Sequence, residues 1–165
     1  MKRMVVFIAL LALASLIYGQ KSIDDLFDKY SGKVGYVTLT FKGDMLKLLN
    51  LDEKCRNRDN KPINITEIRI LAPDNETVQT DNFCDLIIKK LKLNDYEEFI
   101  SVNKSDQGMK VLIRADGNSI REFLLVSGGD DNVLIQVKGK MTFDQAERLS
   151  SEVSGDYATD MLPNQ

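Results

Sequence analysis

The sequence predicts an α+β domain: a two-layer sandwich with a mostly antiparallel sheet of about six strands and helices on one face. Three observations carry this. Several runs alternate apolar and polar residues with the period of a strand, as in "GYVTLTFKG", where Val37, Leu39 and Phe41 oppose Tyr36, Thr38 and Thr40. Other runs place apolar residues at i, i+3, i+4 and i+7, as Ile23, Leu26, Phe27 and Tyr30 do. The chain of 165 residues, without internal repeat or linker, has the length of one core.

The N-terminus reads as a leader. Lys2 and Arg3 precede an uncharged apolar run, Val5 to Ile17, and small Gly19 precedes Gln20. That is the layout of a secretory signal peptide over residues 1–19, and the run is shorter than the ~20 residues needed to span a bilayer. Gln20 is not a lipid-attachment cysteine, so no stable membrane anchor is expected after cleavage. Removal leaves 20 basic against 25 acidic residues, a balance of −5. An acidic chain without a basic block has no electrostatic footprint for nucleic acid.

A single domain is expected over residues 20–153. Ser22, with Asp25 three residues on, opens the first helix as a capping box, and Gly32 closes it. The strand at Tyr36 follows, then a short apolar helix in "DMLKLLNL" and a polar loop. "INITEIRILAP" reads as a second strand ended by Pro73, and Asn75 as the cap of a helix running to about Leu91. "YEEFISVNK", "GMKVLIRA", "SIREFLLVS" and "NVLIQVKG" are four strands, joined most simply as an antiparallel meander. Thr142 and Gln145 start a last helix whose buried side is Phe143, Ala146, Leu149 and Val153; a loose tail is expected over residues 154–165.

Gly128, Gly129, Asp130 and Asp131 resemble the acidic hairpins of metal-dependent nucleotide enzymes. Such chemistry needs further converging carboxylates and cations, and the nearest acidic turn, Asp116-Gly117, lies a strand length away. The residue types suit a tight turn, so a hairpin turn is expected. The sequence has no histidine, which removes serine triads and the common zinc sites. No catalytic, metal or cofactor residue is assigned. Cys55 and Cys84 form an even pair that could close a disulfide in an oxidising compartment; alternatively Cys84 packs as a small hydrophobe on the stripe Cys84, Ile87, Ile88, Leu91. Arg69, Lys110, Arg114 and Lys138 fall on the polar side of the strands, either solvated or an interaction face.

Three segments together, "KSIDDLFDKYSGKVGYVTLTF", "ITEIRILAPDNE" and "FLLVSGGDDNVLIQVKGKMTFDQAERLS", resemble the Bacteroidota family called domain of unknown function 4252. The similarity covers residues 20–151, and the cysteine-bearing loop "LDEKCRNRDNKP" departs from it. The resemblance implies an exported cell-envelope protein encoded near envelope-signalling genes, with no catalytic residues to carry over. The expected function is therefore a non-enzymatic interaction or signalling-associated module, periplasmic or secreted, with an envelope protein as partner. The alternatives are a small-ligand carrier, which needs a closed apolar pocket, and a carboxylate-based enzyme acting on a glycan, which needs two acids facing one cleft.

Overall fold

The computed structural model describes residues 22–56, 61–74, 81–91, 93–103 and 108–159. The leader read from the sequence lies outside them. Helix α1, Ile23–Tyr30, begins on a reciprocal capping box: the Ser22 amide donates to the Asp25 carboxylate at 2.8 Å, and the Asp25 amide donates to Ser22 Oγ at 3.1 Å. Its four apolar residues are all buried, Phe27 to 1 % exposure; Asp28 is exposed, and Asp24, though exposed, turns toward the sheet, where it meets Arg69 and Lys138. Strand β1, Tyr36–Lys42, follows. The expected short helix is split: a 3-10 turn over Gly43–Leu49, then Asn50 at φ 48°, then a single α-turn, α2, Leu51–Lys54. The left-handed residue between them breaks the helical ladder.

Strand β2, Asn64–Pro73, ends at the expected proline. Helix α3, Phe83–Lys90, is capped by Asn82, whose side-chain oxygen accepts from the Asp85 amide at 3.0 Å. The expected cap at Asn75 lies outside the described residues. Phe83, Cys84, Leu86, Ile87 and Leu91 are buried and Ile88 is exposed, so the buried stripe is rotated from the one expected. Phe83, which heads that stripe, packs against the rings of both Tyr30 and Tyr36. The meander then follows as β3 (Glu97–Asn103), β4 (Gly108–Asp116), β5 (Ser119–Ser127) and β6 (Leu134–Met141). Helix α4, Phe143–Thr159, starts on the Thr142–Gln145 capping box and continues past Ser154, where the sequence predicts a tail. Ala146 and Leu149 are buried as expected, but Phe143 is exposed.

The sheet has six strands in the order β1-β2-β6-β5-β4-β3, every neighbouring pair antiparallel. The chain is thus the α+β sheet-and-helix sandwich expected from its sequence. The helices, however, divide between the two faces instead of gathering on one. Helices α1 and α3 pack on Leu71, Leu112, Leu124, Val126 and Leu134. The other face carries α4, α2 and the 3-10 turn over Ile68, Val111, Phe123, Leu125 and Val137. The cause lies in β5: Phe123 to Val126, "FLLV", is apolar at consecutive positions, so apolar residues point to both faces, and each must be covered.

Two glycines are required by close approach. A Cβ on Gly139 would meet the Asn64 carbonyl oxygen at 2.2 Å, beside the register shift in β2. One on Gly128 would meet the Asn82 side chain at 2.4 Å.

Candidate functional site

The polar residues of the α1 face come together by register. Lys42, Glu67, Lys138, Glu122 and Arg114 stand opposite one another across β1, β2, β6, β5 and β4, alternating in charge. Opposite charges on directly paired positions stabilise a sheet. Lys42 and Glu67 lie 3.0 Å apart, and Arg114 and Glu122 2.7 Å. Asp24, in the first turn of α1, reaches the ladder from above: it pairs with Lys138 at 2.8 Å and with Arg69. Arg69 is held in turn by Gln136, with its guanidinium 4.3 Å from the Phe27 ring centre.

At the open end of this ladder lies a cleft of about 330 Å³ between the start of α1 and the turn before β3, lined by Asp24, Asp95, Tyr96, Arg114, Glu122 and Lys138. Glu122 forms its floor at 2 % exposure. A buried carboxylate needs partners, and this one is saturated: Arg114 pairs with it, and the Gln136 amide and the Tyr96 hydroxyl donate to it. Burial, then the bond to Glu122, push the Tyr96 phenol well above the ordinary range, so it stays a neutral donor. Partial burial opposes ionisation of Asp24, but the Lys138 hydrogen bond and the Arg69 charge outweigh it and hold the carboxyl below the usual carboxylate range.

Two of the three acids that line this cleft, Asp24 and Glu122, are therefore committed to structural partners. A glycosidase needs one carboxyl to deliver a proton and a second, free carboxylate to attack or to activate water. Glu122 is pinned by a guanidinium and Asp24 by two cations, which suits neither role. Among the described residues no three His, Cys, Asp or Glu side chains converge as a metal site.

The other sequence-derived residues are dispersed. Arg69, Lys110, Arg114 and Lys138 do share one face, the one bearing α1 and α3, and all are ion-paired: Lys110 with Glu98, the others as above. Charge compensation makes them the margin of a core. Gly128 to Asp131 form the connection between β5 and β6, with Gly129 at φ 79° and a 3-10 turn over Gly129–Asp131. The Ser127 amide donates to the Val133 carbonyl at 2.9 Å, closing the hairpin. This turn is docked: buried Asn132 accepts from the Phe83 amide at 2.9 Å and donates to the Asp81 carbonyl at 2.8 Å. A lone Asn after a Gly-Asp run gives no sequence signal for such an anchor. Cys55 and Cys84 are free thiols, buried in the cores of opposite faces, with the sheet between them; no disulfide joins them. Burial raises both above the ordinary thiol pKa, which leaves them protonated packing groups.

Among the described residues, the opposite face of the sheet carries no such charged ladder at this level of the strands. Leu39, Ile70, Ile135, Leu125, Val111 and Ile100 form one apolar row across all six strands. The inner strands of the row are covered, but at the β1 edge Val37 and Leu39 are 41 % and 47 % exposed.

No curated protein and no solved structure matches this chain. The model of one family, described as a domain of unknown function, DUF4252, matches residues 30–149, from the end of α1 through the middle of α4. The chain belongs to that family.

Proposed function

We propose that the protein is an exported, non-enzymatic interaction module of the cell envelope that engages a protein partner through the β1 edge of its sheet. The observation that carries this reading is that edge: seven residues in unbroken register with β2, bearing two half-exposed apolar side chains and no paired strand on the outer side among the described residues. Strand addition to such an edge is a common mode of peptide and protein recognition, in which main-chain hydrogen bonds supply affinity. The commitment of Glu122 and Asp24 to structural partners supports a non-catalytic role, and the cleft's open, charge-lined form is unlike the closed apolar pocket of a carrier. Lys2, Arg3, the apolar run to Ile17 and Gly19-Gln20 support export.

The test compares the exported chain with its Thr40→Pro variant in affinity capture from envelope extract, read by quantitative mass spectrometry. Proteins captured by the first and lost with the second are expected. An unchanged set would overturn the assignment of β1. N-terminal sequencing should begin at Gln20, and Met1 would overturn export. Cleavage of envelope glycan by the chain, abolished by Glu122→Gln, would replace the module by an enzyme.

A further inference from the structure

The partner that β1 fits best is β1 itself. The two sheet edges differ in how they are guarded. Edge strand β3 carries Glu97 and Glu98 and a register shift between Glu98 and Ile100, both of which discourage pairing. Edge strand β1 has no shift, no proline and a single charge, Lys42, at its very end.

The direction of its free peptide groups can be derived. The Asp74 amide donates to the Gly35 carbonyl at 3.0 Å, and Pro73, which has no N–H, lies opposite Tyr36. In an antiparallel ladder hydrogen-bonded and non-bonded pairs alternate, so Val37, Leu39 and Phe41 turn their peptide groups toward β2. Those of Thr38, Thr40 and Lys42 face the open edge; the outward amide of Tyr36 donates to the Lys33 carbonyl at 3.2 Å.

We propose that two copies of this chain pair antiparallel through β1, with the two-fold axis at Leu39, joining their sheets into one of twelve strands. This rests on the β1 edge being the interaction surface proposed above. In that register Thr38 stands opposite Thr40 of the second copy as a hydrogen-bonded pair, on both sides of the axis. Threonine pairs are favourable across strands, and Thr38 Oγ1 is buried without a hydrogen-bond partner in the single chain. Val37 meets Phe41 of the second copy and Leu39 meets its own equivalent, so the apolar row that runs out at the edge continues into the next sheet. Each Lys42 meets a Tyr36, and no two like charges are opposed. The symmetry is isologous, as closed dimers require.

The register makes the proposal testable at single-residue resolution. Non-hydrogen-bonded partners bring their Cα atoms to about 4.5 Å, within disulfide range. Mild oxidation of the exported Leu39→Cys chain should therefore give a covalent dimer, whereas Val37→Cys, whose counterpart is Phe41, should cross-link at least tenfold more slowly. Light scattering on the unmodified chain should give twice the chain mass. Thr40→Pro should reduce it to one, because it removes only an outward N–H that the single chain does not use, and its circular dichroism melt should remain cooperative. An unmodified chain of single mass, or equal cross-linking at positions 37 and 39, overturns the proposal whether or not the proline variant folds. Should the chain be a monomer that still loses captured proteins on Thr40→Pro, the self-pairing fails while the interaction reading stands. Should Thr40→Pro alter neither mass nor capture, both fail.

Discussion

The two faces of the sheet bury similar apolar side chains yet end differently at their margins. On the α1 face the apolar centre gives way to the Lys42–Glu67–Lys138–Glu122–Arg114 ladder, tied down by Asp24 and Arg69. On the α4 face the apolar row simply continues to Leu39 and stops. A margin that closes in paired charge has no unmet demand, whereas one that ends in half-exposed leucine and valine does. That difference teaches where to look for a partner: at the sparsely charged β1 edge, and not in the cleft where the ionisable residues collect.

If the cores on both faces hold the fold, the largest losses should come from their central aromatics. Phe27→Ala and Phe123→Ala are each expected to cost roughly 3–5 kcal/mol in denaturant melts, because each removes a fully buried ring. Asp28→Ala, on the outer side of α1, should change little. A Phe27→Ala loss no larger than that of Asp28→Ala would remove α1 from the structural core and leave the α4 face as the only one that matters.

The charged margin should come next. Glu122→Ala leaves Arg114 without its anion and the Gln136 amide and Tyr96 hydroxyl without their acceptor; a loss of about 2–3 kcal/mol is expected, less than for a fully buried pair because Arg114 is partly exposed. Equal melts for Glu122→Ala and the parent would show that the ladder is ornament to the core. Asn132→Ala should cost about 1–2 kcal/mol, since it frees the Phe83 amide and the Asp81 carbonyl that fix α3 against the hairpin. That loss should appear as faster amide exchange at the start of α3.

The same contrast explains what could be read in advance. Capping boxes at Ser22 and Thr142, the Pro73 stop, the Gly128-Gly129 turn and every strand were legible because each is a local rule of residue type and spacing. The division of the helices was not, because "EFLLV" satisfies a half-buried strand and a doubly buried one alike, and only the packing of α4 decides. The ladder escaped notice for a related reason. Lys42, Glu67, Glu122 and Lys138 are far apart in sequence, and each taken alone resembles an ordinary solvated charge; the alternation exists only once the register across five strands is known. The cysteines show the limit of counting, since an even number says nothing about which side of a sheet each thiol occupies.

The smallest expected effect is the most diagnostic of the two margins. Asp24 titrates below the usual carboxylate range in the folded chain, so between its folded and unfolded pKa values the unfolded chain binds more protons. Its contribution is therefore fully present above the unfolded value of about 3.9 and is lost as pH falls through the folded one. Its side chain is more than half exposed, so solvent screening limits the contribution to less than about 1 kcal/mol. Asp24→Asn should thus lower the denaturation midpoint slightly at neutral pH, and the gap to the parent should close as the pH falls below the usual carboxylate range. Leu39→Asn, on the uncharged margin, should show no such convergence, because nothing it touches is expected to titrate in that window. If instead the Asp24→Asn gap stayed constant with pH, the residue would act through packing or through the helix end, and the α1 margin would be no more electrostatic than the edge at Leu39.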